Sequence, residues 1–269
     1  MRIIYFGDIV GRSGRTAVLD NLDTIRNRYA PDFMIANGEN AAHGFGITEK
    51  ICAEFFEAGI DVVTTGNHVW DQREIAKYIV TEPRLLRPNN YPKLAPGTGA
   101  ALYSSAGGMR VLVIQVMGRL FMEPLDDPFA SVEQALRNHQ LGNSVNAIVV
   151  DIHAEATSEK MAMGVFLDGR VSMVVGSHSH VPTADARVLP KGTAYQTDAG
   201  MCGDYDSVIG MKKEIALARF IRRMPGDRLE PAEEEGTVCA VLVETNDVTG
   251  LAMSCRSVRI GGRLDPSLP

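Results

Sequence analysis

No run of Lys or Arg occurs in the 269 residues, and acidic side chains outnumber basic ones by 33 to 27, a net charge of −6. Without a basic stripe, non-specific DNA or RNA binding has no electrostatic source. A stable nucleic-acid partner is therefore not expected, though a nucleotide or an RNA end stays open as a substrate. No apolar stretch approaches the roughly 20 residues a membrane helix needs. The opening MRIIYFGDIV holds one basic residue and a short apolar run broken by Asp8, unlike a signal peptide. The expectation is a cytoplasmic protein with no membrane attachment. Cysteine is scarce, and Cys52, Cys202, Cys239 and Cys255 stand far apart with no CxxC spacing. They read as buried free thiols, so any metal would be bound by nitrogen and oxygen. Repeats and low-complexity tracts are absent too. With 45% apolar and 22% charged residues, the composition is that of a chain that folds on its own, read as one domain over 1–269.

What is present is a series of short apolar, β-branched runs: Ile3 to Phe6, Phe33 to Ala36, Val62 to Thr65, Val111 to Val116, Ala147 to Val150 and Val171 to Val175. Each has the length and composition of a buried strand. Between the first two, Val18, Leu19, Leu22, Ile25 and Tyr29 mark one face of an amphipathic helix. Strand, helix, strand in succession implies a largely parallel sheet of an α/β fold. The last third differs: Thr237 to Glu244 and Leu251 to Ile260 read as a hairpin, assigned to a second sheet. Pro83 to Gly99 reads as a long surface loop, and 81–131 is the candidate region for a lid.

Nearly every strand runs into residues able to bind a metal. The exits are Gly7-Asp8, Gly38-Glu39-Asn40, Gly66-Asn67-His68, Asp151-Ile152-His153 and Gly176-Ser177-His178-Ser179-His180. In open α/β sheets ligands bind beyond the carboxyl ends of the strands, so these distant segments should converge. Taken singly, a strand-end acid is commonly a helix cap and a lone His an ordinary loop residue. Together, four of the six histidines fall at such exits, and His178-Ser179-His180 would put two imidazoles on one side of an extended segment. A dinucleotide fingerprint is not met, because Gly7 to Gly14 lacks G-x-G-x-x-G. Arg12, Ser13, Arg15, Thr157, Ser158 and Lys160 follow strand exits and read either as phosphate contacts or as solvated helix-start residues.

In order and spacing these elements resemble the calcineurin-like metallophosphoesterases, whose signature runs D-x-H, G-D-x-x-D, G-N-H, a lone His, then G-H-x-H. Two departures, Val10 for a metal-binding His and Glu39 for the bridging Asp, are similar to the bacterial YmdB-like branch, described as phosphodiesterases of 2′,3′-cyclic nucleotides among other esters. Gly11 to Arg15, Asn37 to Thr48 and His153 to Lys160 extend that likeness. The resemblance implies a four-layer sandwich of two mixed β-sheets flanked by helices, the metallo-dependent phosphatase-like fold. It implies two divalent or trivalent metal ions, with iron or manganese ahead of zinc for such nitrogen and oxygen ligands. Asp8, Glu39, Asn40 and His180 would hold one, and Glu39, Asn67, His153 and His178 the other. It implies attack by a hydroxide held at the metals, with His68 as proton donor to the leaving oxygen, on a small phosphate ester or cyclic nucleotide. Loss of the His at position 10 leaves one metal a ligand short unless Asn40 supplies an oxygen. Two other readings stay open: a different metallohydrolase such as an amidohydrolase, and a nucleotide-binding regulatory protein of weak turnover. A homo-oligomer is the base-rate expectation.

Overall fold

Strand β1 (Arg2–Phe6) sends Ile3 and Tyr5 to one side and Ile4 and Phe6 to the other, and all four are fully buried. A strand of period two buried on both faces must lie in an inner layer, each face against a different core. The computed structural model, which describes residues 1–223 and 226–269, shows this layering. In chain order the elements after β1 are β2 (Asp8–Ile9), α1 (Gly11–Tyr29), β3 (Phe33–Asn37), α2 (Glu49–Glu57), β4 (Val62–Thr64) and α3 (Ile75–Thr81). Then come β5 (Ala100–Ser104), β6 (Arg110–Met117), α4 (Pro128–Leu136), β7 (Ala147–His153), α5 (Thr157–Leu167) and β8 (Met173–Ser177). The chain continues with β9 (Arg187–Val188), β10 (Ala194–Gln196), β11 (Met201–Cys202), α6 (Lys213–Arg222), β12 (Val238–Thr245) and β13 (Ala252–Ile260).

Two mixed sheets, ordered β13-β12-β1-β3-β4 and β5-β6-β7-β8-β10-β9, form the inner layers. Ile3, Tyr5, Phe33 and Ile35 pack with Val111, Val113, Val149 and Val175 between the sheets. Ile4 and Phe6 pack on the other side with Val18, Leu22 and Ile25 of α1 and with Phe55 of α2. Val132 of α4 and Met163 and Leu167 of α5 cover the outer face of the second sheet. Each such side chain, fully buried, contributes about 1.5–3 kcal/mol. Helix starts follow local chemistry: Thr48 Oγ1 accepts from Ile51 N at α2, and Asp127 accepts from Phe129 N and Ala130 N at α4, where Pro128 opens the helix.

Three sequence expectations need correcting. The terminal hairpin β12–β13 belongs to the first sheet, because β12 is buried along most of its length and pairs antiparallel with β1. Parallel pairing runs from β1 through β3 to the edge strand β4 and from β6 through β7 and β8 to β10, while β5, β9, β12 and β13 pair antiparallel, so both sheets are mixed rather than largely parallel. Pro83 to Gly99 is irregular but is no surface loop: Leu85, Leu86 and Arg87 are buried, and the Arg87 guanidinium donates to the carbonyls of Pro88, Ala95, Pro96 and Gly97. One side chain satisfies the backbone that lacks a ladder. Among the described residues, no helix is long and apolar enough to cross a membrane.

Candidate metal centre

β1, β3 and β4 run parallel in the first sheet, as do β6, β7 and β8 in the second, so each set has its carboxyl ends at one edge. The edges meet: Glu39, after β3, reaches His153 at the end of β7, and His178, after β8, donates its backbone N–H to Asp8 Oδ2 at 3.1 Å. Ligand atoms of Asp8, Glu39 and His153 all lie within 4.8 Å of one another.

His153 Nε2 is the centre of this group. Glu39 Oε2 lies 2.5 Å away, Asn67 Oδ1 3.0 Å and His178 Nδ1 3.1 Å. The far nitrogens are already engaged: His153 Nδ1 is 2.9 Å from Ser177 Oγ, whose hydroxyl donates to Asp151 Oδ1, and His178 Nε2 is 3.1 Å from Glu155 Oε2. That arrangement places both ring protons outside and aims lone pairs inward. His153 Nε2 can carry at most one proton, which cannot serve three acceptors, and buried Glu39 Oε2, though only 2.5 Å from that nitrogen, makes no well-aligned hydrogen bond. Such a surplus of acceptors calls for positive charge. Gly66 leaves it room, since a Cβ there would collide with Glu39 Oε2 and His153 Nε2.

A second set adjoins the first. His180 Nδ1 donates to Ile209 O at 2.8 Å, leaving Nε2 3.2 Å from Asn40 Oδ1 and 3.9 Å from Asp8 Oδ1. The Asn40 amide is fixed by its Nδ2 donating to Gly44 O, so Oδ1 faces the site. Val10 is buried and offers no donor; the oxygen near His180 comes from Asn40.

Electrostatics follow from burial and neighbours. Burial pushes the Asp8 carboxyl up to about 6 despite the opposing charges of His180 and His153. Burial also acts on Glu39, but the charge of His153 and contacts with His68 outweigh it and hold that carboxyl at about 2. His153 is raised because Glu39 outweighs its burial, whereas burial and the charge of His153 press His178 down to about 3. His153 thus supplies positive charge that Glu39 meets, the role a cation would assume.

His68 stands at the rim. Its backbone N–H donates to Glu39 Oε1 at 2.7 Å, its Nδ1 is 2.9 Å from Asp71 Oδ2, and its ring meets Phe45 edge-on at 5.1 Å. All eight residues singled out from sequence, Asp8, Glu39, Asn40, Asn67, His68, His153, His178 and His180, therefore come to one place. The H-x-H segment is not extended, however. His178 and His180 have φ of 94° and 64°, left-handed turns that aim one ring at His153 and the other at Asn40, a strain typical of functional sites.

Other residues named from sequence take roles that their position in the chain does not reveal. Asp151 accepts from Tyr5 OH, Thr64 Oγ1 and Ser177 Oγ and so sets the His153 tautomer; its one signal is a carboxylate inside an apolar strand, two residues before His153. Lys160 is fully buried rather than solvated, 2.7 Å from Asp198 Oδ2 and 2.9 Å from Ser179 Oγ. Arg15 donates to Ala41 O and Ser13 to Glu234 O, both structural bonds.

Comparison with known proteins agrees with this geometry. A family model described as YmdB-like protein matches residues 4–258. A Bacillus subtilis (strain 168) protein named 2′,3′-cyclic-nucleotide 2′-phosphodiesterase is 45% identical over 260 residues, 97% of each chain. A hypothetical protein from Thermus thermophilus superposes with TM-score 0.90 at 41% identity, covering 98% of this chain and 100% of that one. A Mycoplasma pneumoniae structure described as a novel phosphatase gives TM-score 0.90 at 30% identity, covering 97% and 93%.

Proposed function

The chain belongs to the YmdB-like protein family, and from that premise we propose that it hydrolyses 2′,3′-cyclic nucleotides with two bound cations, breaking the P–O2′ bond. The observation that supports this most is the set of acceptors crowded around His153 Nε2, the buried and poorly aligned Glu39 Oε2 among them. Glu39, Asn67, His153 and His178 would hold one cation and Asp8, Glu39, Asn40 and His180 the other; the donor set suits iron or manganese, with zinc a third option. When bound, such a pair supplies an acidified water and neutralises phosphoryl charge. Glu39 is shared between the sets and ionised throughout the neutral range. Any lid falls to 118–127, the part of 81–131 beyond β6 that joins the site where Gly118 N donates to His153 O.

His68 holds the proton. With Nδ1 tethered to Asp71, its Nε2 can deliver a proton to O2′ as the P–O2′ bond breaks, which yields a nucleoside 3′-phosphate. His68→Asn should lower kcat on 2′,3′-cyclic AMP roughly 10²-fold or more. The loss on bis-p-nitrophenyl phosphate should be much smaller, because p-nitrophenolate departs without a proton. Equal losses on both substrates would remove the acid role.

Asp8, raised to about 6, must shed its proton to bind a cation. Affinity for the cation that Asp8 would hold should therefore fall about tenfold per unit as pH drops below about 6, where its binding releases the Asp8 proton. Calorimetric Mn²⁺ titrations at pH 5 and pH 7 test this, and equal affinities would exclude Asp8 as a ligand. The function itself is tested by the metal content of unchelated protein and turnover of 2′,3′-cyclic AMP. About two cations per chain with turnover is the expected result; neither would defeat the reading.

A further inference from the structure

A cavity of about 570 Å³ opens beside His68, lined by His43, Asp71, Gln72, Arg228 and Pro231 among others. Its volume lies in the range of small-molecule sites. Two loops that carry candidate ligands form one side of it, His43 following Glu39 and Asn40, and Asp71 and Gln72 following Asn67 and His68; the segment from Arg228 to Glu233, with Glu230, forms the rest. Gln72 Nε2 cross-links the two loops by donating to Phe45 O at 2.8 Å, and the Asn40 amide closes the first loop on Gly44. Within that loop His43 is held at φ 53°, immediately before the positive-φ residues Gly44 and Gly46. A non-glycine residue there is held by its surroundings, and its imidazole is left exposed at the cavity wall. Exposed Arg228, also in the wall, lies 5.9 Å above the ring of Phe45, whose edge meets His68.

The chemistry of the leaving group selects the occupant. In an in-line displacement the departing oxygen lies opposite the attacking one, so a proton donor at His68 fixes the leaving side. For a 2′,3′-cyclic phosphate that oxygen is O2′, adjacent to the carbon that bears the base, so the base needs space beside His68. This cavity shares Asp71 with His68, and it presents two flat, stacking-competent groups, an imidazole and a guanidinium.

We propose that this cavity is the nucleobase subsite, with His43 and Arg228 stacking on the base and so selecting nucleosides over simpler cyclic diesters; this rests on the cyclic-nucleotide reading above. The test compares kcat/KM for 2′,3′-cyclic AMP and for the base-free 1-O-methylribose 2′,3′-cyclic phosphate, in metal-loaded wild type, His43→Gly, Arg228→Ala and the double variant. Glycine suits the positive φ, and both side chains are exposed, so the fold should hold.

Wild type should favour the nucleotide by about tenfold or more, chiefly through KM, and the ratio in the double variant should collapse to within about twofold of one. A wild-type ratio near one, or a ratio that both substitutions leave unchanged, overturns the subsite while the hydrolytic function stands. Failure of the wild type to hydrolyse either diester removes the function, and the subsite with it.

Discussion

Replacing Glu39 by Gln should leave the chain folded but nearly free of metal, with turnover of 2′,3′-cyclic AMP reduced roughly 10³-fold or more. The amide keeps the side chain's shape and one oxygen to accept from His68 N, the bond that joins the exits of β3 and β4. What it loses is charge at a fully buried point where both ligand sets meet. Leaving a buried charge without its partner costs about 3–5 kcal/mol, and at about 1.4 kcal/mol per tenfold that is roughly 10²–10⁴ in affinity. On the proposed assignment both cations would bear the loss, since Glu39 belongs to both ligand sets. The amide N–H₂ would also point at acceptors near His153, filling with hydrogen bonds the room that Gly66 leaves open. Elemental analysis and kcat/KM measured on the same preparation decide the matter. Two cations and near-normal turnover in the variant would show that Glu39 is no bridge.

Why Glu39 is legible from sequence while other residues are not has a physical cause. A candidate ligand at a strand exit announces itself twice, by the apolar run before it and by a glycine that lets the backbone pass close; Asp8, Glu39, Asn67 and His178 all carry that mark. The same runs locate β1, β3, β4, β6, β7 and β8, since strands buried on both faces must be apolar throughout. The edge strand β5 is only half-buried and carries no continuous apolar run, and β9 and its neighbour β10 hold two and three residues, too few for a pattern. The hairpin β12–β13 is visible, but its attachment to β1 depends on pairing between opposite ends of the chain, which no local signal encodes. The left-handed turns at His178 and His180 are equally hidden, because histidine gives no hint of positive φ. Lys160 shows the limit most clearly: at a helix start it reads as solvated, and only packing against Gly176, where a Cβ would collide with Thr197 O and meet Lys160 Cδ at 2.7 Å, puts it inside.

That buried lysine leads to the other large effect. Asp198 Oδ2 accepts from Lys160 Nζ at 2.7 Å and from Ser179 N at 3.1 Å, and Oδ1 accepts from Gly200 N at 2.8 Å. Ser179 is the middle residue of H-x-H, and its Oγ takes a second bond from Lys160. The pair therefore holds the segment whose left-handed turns aim His178 and His180. Asp198→Asn leaves a fully buried ammonium with neutral partners only, and turns the amide N–H₂ toward either Gly200 N or the Lys160 and Ser179 donors. Breaking a buried pair from one side costs about 3–5 kcal/mol, which for a chain of this size lowers Tm by roughly 6–20 °C. Adding Lys160→Met should recover much of that stability, because the stranded charge goes with it and a methionine fills similar space. It should not recover metal affinity, since neither substitution restores the bonds to Ser179 that fix the two imidazoles. Thermal melts and Mn²⁺ titrations on the four members of this cycle separate the two roles. If the double variant regains affinity along with Tm, the pair is structural only; if affinity stays low while Tm returns, the buried lysine and aspartate set the direction of the metal ligands.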